Sequence, residues 1–288
     1  MKYGIPYMGS KNRIAKWIID NLPPAKHFYD LFGGGGAITH CALLSGKYEH
    51  VHYNELNPLI VKAFSMAVNG EFKNENRWIS REDFFKLKDT DPYVSLCFSF
   101  GNNCKGYAYG KEIEPLKKAL HYAICFDDFS LLKELGININ ENLNGRIGIV
   151  KSVKDFLNLN YMQLEHLQRL KRLQTLERLE QLQNLDISTE LKITNLDYRE
   201  VEIEKDSIIY CDIPYNNCAK YVNNDFKHDE FYKWAIEQNN IYISEYNMPD
   251  DFKIVCERNI KSILSSTSND KTVTEKLFTI KKGQTNEF

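Results

Sequence analysis

Phe28-Tyr29-Asp30-Leu31-Phe32-Gly33-Gly34-Gly35-Gly36-Ala37 is the stretch on which the fold turns. A short apolar run, Phe28 to Leu31, is stopped by glycines, and a helix begins after them. Glycine accepts positive φ and carries no Cβ, so the backbone here can approach a ligand closely at the helix N-terminus. Such a turn serves dinucleotides, phosphates and adenosyl cofactors alike, and a plain structural turn is the bland alternative. Val51-His52-Tyr53 reads as the next strand and ends at Asn54-Glu55. An acidic side chain about 20 residues beyond a glycine turn can accept hydrogen bonds from ribose hydroxyls, although a glutamate before Asn57-Pro58 could equally be a surface residue. Ser10 to Leu22 reads as a helix, and Asn57-Pro58 opens another through Val68, with Pro58 suited to a first turn. The alternation predicts an α/β domain built from crossover units.

The pattern is lost over residues 71–189 and resumes with a strand at Ser207–Asp212, a helix at Asp229–Gln238 and a strand at Ile241–Ser244. The expectation is one sheet domain made of 1–70 and 190–288, carrying an inserted, mainly helical module at 71–189. Within the insert, leucine recurs at every third position from Leu164 to Leu185 among Gln, Arg, Glu and Lys. On an α-helix each step of three falls about 60° short of a full turn, so the stripe winds and makes no single apolar face. A long charged helix packed on several sides or used for self-association is the expectation for this tract.

Composition sets outer bounds. The chain of 288 residues is 43% hydrophobic and 26% charged, as expected of a globular protein with a substantial core. No run of about 18 apolar residues occurs and Met1-Lys2-Tyr3-Gly4-Ile5-Pro6 lacks a signal-peptide pattern, so a cytoplasmic protein with no membrane partner is expected. The seven cysteines include no Cys-x-x-Cys pair, which argues against a disulfide framework and a zinc ribbon; no metal is expected. The net charge of −2 offers no bulk attraction to a polyanion, so a basic footprint would have to be local.

Tyr210-Cys211-Asp212-Ile213-Pro214-Tyr215 carries the chemistry. An apolar strand runs into a proline-aromatic loop that begins with a carboxylate, and strand ends of open α/β sheets are where ligands bind. Asp212 and a backbone carbonyl can both accept hydrogen bonds from an exocyclic amine, and Tyr215 can stack on a base. Taken alone, the tetrapeptide could be an ordinary strand-to-turn transition.

Its company narrows the reading. Pro6-Tyr7-Met8-Gly9-Ser10-Lys11, the Phe32, Gly34 and Gly36 pattern, Glu55, Asn195-Leu196-Asp197-Tyr198 and Asp212 to Tyr215 follow in an order that resembles the Dam-type adenine-specific DNA methyltransferases. Phe226-Lys227-His228-Asp229, Ser244 to Asn247 and Lys271 to Phe278 look like the remaining family segments. The resemblance covers about 1–70 and 190–288. It implies a Rossmann-like S-adenosylmethionine-dependent methyltransferase sheet with an inserted target-recognition domain, acting on adenine N6 in double-stranded DNA. It implies cofactor contacts from Tyr7, Lys11, Asp30, Phe32, Gly34, Gly36, Glu55, Asp197, Tyr198 and Asp212. Asp212, Ile213, Pro214 and Tyr215 then form the catalytic loop, and a restriction endonuclease of the same system is the protein partner implied.

Two positions depart from the family. Leu31 stands where many relatives have proline, and Ile213 replaces the first proline of the catalytic motif, which leaves the carbonyl in place but frees φ. In the insert, Asn102, Asn103, Lys105, Tyr107, Tyr109 and Lys111 interleave amides, cations and aromatics and are the candidate DNA contacts. An ordinary solvated loop is their alternative. Two other functions stay compatible with the residues: an amino-methyltransferase acting on RNA or cytosine, and a catalytically impaired cofactor- and DNA-binding protein.

Overall fold

The computed structural model describes residues 2–73, 75–139, 145–157, 189–215, 226–261 and 272–281. Residues group into two compact units, one comprising 1–4, 10–64 and 185–288, the other 5–9 and 65–184. The leucine tract lies outside the described residues.

The first unit is a seven-stranded sheet in the order β3-β2-β1-β4-β5-β7-β6. Its strands are β1 (His27–Asp30), β2 (His50–Asn54), β3 (Glu190–Thr194), β4 (Ser207–Cys211), β5 (Ile241–Glu245), β6 (Phe252–Lys261) and β7 (Thr272–Ile280). Strands β3, β2, β1, β4 and β5 pair in parallel, whereas β7 runs antiparallel to both neighbours. Strand order reverses between β1 and β4, whose carboxyl ends are Asp30 and Cys211, and open α/β sheets bind their ligands beyond such a point.

All five residues of β4 are buried, as befits a central parallel strand covered on both faces. Period-two alternation sends Phe28, Val51, Ile208 and Tyr210 to one face, where they meet Ile14, Ile18, Ile19, Ile38 and Ala42 of helices α1 (Ala15–Asp20) and α2 (Ala37–Ser45) and their approaches. Tyr29, Ile209, Cys211 and Ile243 go to the other face, against Phe231 and Ala235.

The predicted helix over Ser10–Leu22 is divided. Ser10 caps a 3-10 turn at Lys11–Arg13, Ile14 leaves helical geometry at φ −121° and ψ 2°, and α1 follows. Helix α3 (Pro58–Val68) forms where Asn57-Pro58 places it.

Described elements of the second unit are helical: α4 (Arg81–Leu87), α5 (Pro92–Cys97), α6 (Glu114–Phe126), α7 (Ser130–Glu134) and α8 (Gly145–Leu157). Ser80 and Asp91 cap α4 and α5 by accepting from backbone N–H groups. Ala119, Leu120, Ala123, Leu132, Ile149 and Val153 make an apolar core of their own. Helix α9 (His228–Ile236) belongs to the sheet unit, between β4 and β5.

Candidate active site

The glycine turn is held by the residues it joins. Gly33 donates to the Asn54 carbonyl at 2.8 Å, and Gly36 caps α2 at φ +67°. A Cβ on Gly33 would enter the Tyr53 ring, and one on Gly36 would enter the Phe64 ring. Asn54 ties this turn to the loop after β3, its amide donating to the carbonyls of Leu31 and Leu196 while its oxygen accepts from Leu196 N–H. Sequence reasoning gave Asn54 no role; its only signal was its place at a strand end.

Two carboxylates line the turn. Asp30 Oδ2 accepts from the Thr39 N–H and hydroxyl at 3.1 and 2.7 Å, while buried Oδ1 has no partner among the described residues. Burial pushes the Asp30 carboxyl up to about 7. Glu55 accepts from Gly34 N–H at 2.9 Å and Asn57 N–H at 2.8 Å, and burial raises its carboxyl too. Each Glu55 oxygen keeps a second lone pair for a hydroxyl donor.

Phe32 meets Tyr198 at 5.4 Å, and Phe226 and Phe231 edge-on at 5.7 Å, so a partly buried aromatic group stands beside the turn. Asp197, expected among the cofactor contacts, caps the 3-10 turn after it and holds the Arg199 guanidinium at 2.7 and 2.9 Å, which keeps its carboxyl below the usual range.

At the end of β4, Asp212 Oδ1 lies 3.0 Å from Lys11 Nζ, with side chains 20% and 11% exposed. Burial raises the Asp212 carboxyl, Lys11 opposes the rise, and Glu275 adds to it. Lys11, expected among the cofactor contacts, places its ammonium beside Asp212, 4.4 Å from the Tyr215 ring centroid and 4.0 Å from Glu275. Tyr215 donates its hydroxyl to Glu275 Oε2 at 2.8 Å and meets Tyr246 edge-on at 4.6 Å.

The Ile213 departure has a structural answer. Its side chain is 2% exposed within the core on the α9 face, and the next carbonyl, Pro214, accepts from His228 Nε2 at 2.7 Å. Packing and this hydrogen bond hold a loop that a proline ring would otherwise restrict. His228 stood in a quoted segment without a role.

Tyr7 belongs to the 5–9 stretch of the second unit and is half-buried. In that unit the candidate DNA contacts divide. Tyr107 and Tyr109 are core residues, 7% and 6% exposed; Tyr107 donates to the Ile79 carbonyl and Tyr109 stacks on Trp78 at 5.6 Å. Both rings, expected among the DNA contacts, are buried within this unit and shape the loop. Asn102, at φ +56°, donates to the Leu96 carbonyl, and Asn103 Oδ1 accepts from the N–H groups of Lys105 and Gly106. These amides build the turn. Lys105 and Lys111 are exposed, and so is Phe100, at 68%, a residue that sequence reasoning missed because apolar type predicts burial.

The sheet is of the open α/β kind, whose ligands bind beyond the carboxyl ends of the strands at the switch point, and Asp212 stands at such a strand end. The family model described as D12 class N6 adenine-specific DNA methyltransferase matches residues 7–268, and the chain belongs to that family. Its activity is therefore methylation of adenine N6 in DNA, with a methyl donor as co-substrate. No curated protein matches the chain. Among the described residues no helix is long and apolar enough to cross a membrane.

Proposed function

We propose that the donor is S-adenosylmethionine and that the acceptor is an adenine swung out of double-stranded DNA. One observation carries this reading: Asp212, Lys11 and Tyr215 are gathered at the carboxyl end of β4, the strand paired with β1, whose own end opens into the glycine turn.

The residues at hand fit such a donor. The unpartnered Asp30 oxygen can accept from the amino-acid ammonium, Glu55 from ribose hydroxyls, and Phe32 with Tyr198 offers ring faces to its adenine. Bound there, the cofactor supplies an electrophilic methyl group on a sulfonium. Asp212 and the Ile213 carbonyl accept hydrogen bonds from the target amine, so that its nitrogen lone pair faces the methyl, and Tyr215 stacks on the base. Positive charge grows on nitrogen as the bond forms, and the carboxylate stabilises it where it develops. The amine proton leaves to solvent after transfer.

Exposed Lys105 and Lys111 suit phosphate contacts, and Phe100 suits an apolar wedge against a base step. Phe100→Ala is expected to weaken duplex binding about tenfold with cofactor affinity unchanged, as read by fluorescence anisotropy and calorimetry. The same reading puts the enzyme in the cytoplasm, alongside a restriction endonuclease of the same system.

The test is incubation with methyl-labelled S-adenosylmethionine and unmethylated genomic DNA, duplex or denatured, or with RNA. Label in duplex DNA as N6-methyladenine supports the proposal. Label confined to RNA or to the cytosine amine, or no transfer despite cofactor binding, overturns it.

A further inference from the structure

We propose that Glu275 is a positioning residue for methyl transfer, acting by anchoring the Tyr215 hydroxyl so that the ring that receives the target base is fixed in one orientation. The inference rests on the function proposed above and adds to the catalytic loop a residue from the far, antiparallel part of the sheet.

The case begins with β7. Successive side chains of a strand face opposite sides, so Glu275 shares a side with Leu277, which is fully buried in the core beneath α1 and α2. Glu275 is itself only 6% exposed. A carboxylate on that side of an inner strand costs several kcal/mol of desolvation unless it is partnered. Its partners are Tyr215 Oη of the loop at 2.8 Å and the Lys11 ammonium of the N-terminal 3-10 turn at 4.0 Å. Core packing alone would be served by an apolar residue at this position.

Geometry shows what the anchor does. Tyr215 follows the strand end by four residues and is the last described residue of its segment. Its ring is flanked by the Tyr246 ring and the Lys11 ammonium, and swing of the ring about its Cα–Cβ bond would carry the para oxygen furthest. A hydrogen bond at the para oxygen fixes the far end of that lever. A stacked base inherits the ring's plane, so loosening the anchor misaligns the amine with the methyl group; such loss of orientation lowers kcat before it lowers binding.

The test is a double-mutant cycle on the full chain, with kcat and KM for DNA measured under saturating S-adenosylmethionine. Glu275→Leu removes the acceptor and Tyr215→Phe removes the donor while keeping the ring. Each is expected to lower kcat about 10–100-fold with KM for DNA changed less than about threefold, and the double variant is expected to fall no further than either single one. Glu275→Gln keeps an acceptor oxygen and is expected to stay within about threefold of the parent. Additive losses, an unchanged kcat in Glu275→Leu, or a Glu275→Gln variant as impaired as Glu275→Leu would overturn the inference. Should Glu275→Leu fail to fold, judged by circular dichroism and cofactor binding, Tyr215→Phe and Glu275→Gln still decide: Tyr215→Phe at full kcat overturns it. A parent enzyme that transfers no methyl to adenine contradicts the proposed function instead, so the two failures are distinguishable.

Discussion

Lys11→Met is expected to lower kcat about a hundredfold at pH 7 and to move the acid limb of the pH–rate profile toward higher pH. Asp212 sits in a balance of opposed effects: burial and the Glu275 carboxylate raise its pKa, and the Lys11 ammonium at 3.0 Å restrains it. Methionine fills similar volume without charge, so two carboxylates would face each other with no cation between them, and the rise would be unopposed. The sign follows directly. In the proposed mechanism Asp212 is an acceptor, hence ionised, and a higher pKa means less ionised enzyme at a given pH. Raising the pH should recover part of the loss. A hundredfold fall corresponds to about 2.7 kcal/mol of barrier, in line with removing one partner of a half-buried ion pair. The check is kcat/KM from pH 5 to 9 for parent and variant. A limb that stays where the parent has it would show that Lys11 does not govern Asp212.

Gly36→Val should have the largest effect on the fold of the site. Gly36 stands at φ +67°, where a β-branched residue is strained by about 1–2 kcal/mol, and its new Cβ would collide with the Phe64 ring. Forcing extra atoms into a packed contact adds about 1–3 kcal/mol. The sum, about 2–5 kcal/mol, is a sizeable part of a domain's stability, and the displaced start of α2 should weaken cofactor binding as well. Gly46 provides the comparison, because it sits at φ +66° with open space around its hypothetical Cβ. Gly46→Val should show the strain without the collision. Urea unfolding of both variants measures the difference, and equal destabilisation would remove Phe64 from the explanation.

Local physics made much of this legible beforehand. The run from Phe28 through the glycines to Ala37 combines a strand signal, a turn signal and a helix start within ten residues, and it forms as read. Asp212 follows a strand that is largely apolar and buried throughout, as suits a fully covered parallel strand. What stayed hidden depends on partners distant in sequence. The insertion of β7 between β5 and β6 is a pairing choice between segments that alternate without naming their neighbours. Glu275 reads as one more charge in a polar strand until that pairing brings it to Tyr215, 60 positions away. His228 and Pro214 meet in the same way. The loop from Phe98 to Lys111 is ambiguous in sequence for the opposite reason: amides and tyrosines that suit base contacts also suit tight turns and hydrogen-bonded cores, and Asn103 builds a turn while Tyr107 is hydrogen-bonded in the core.

The account stands most directly on Asp212. The decisive measurement is nucleoside mass spectrometry of unmethylated duplex DNA after incubation with S-adenosylmethionine and either the parent protein or Asp212→Asn, with cofactor affinity of both measured alongside. The account predicts N6-methyladenine from the parent and at least about a thousandfold less from the variant, with cofactor binding within a few-fold, because the amide cannot stabilise the charge that grows on the amine. An Asp212→Asn variant that methylates adenine at a rate near the parent's would contradict it.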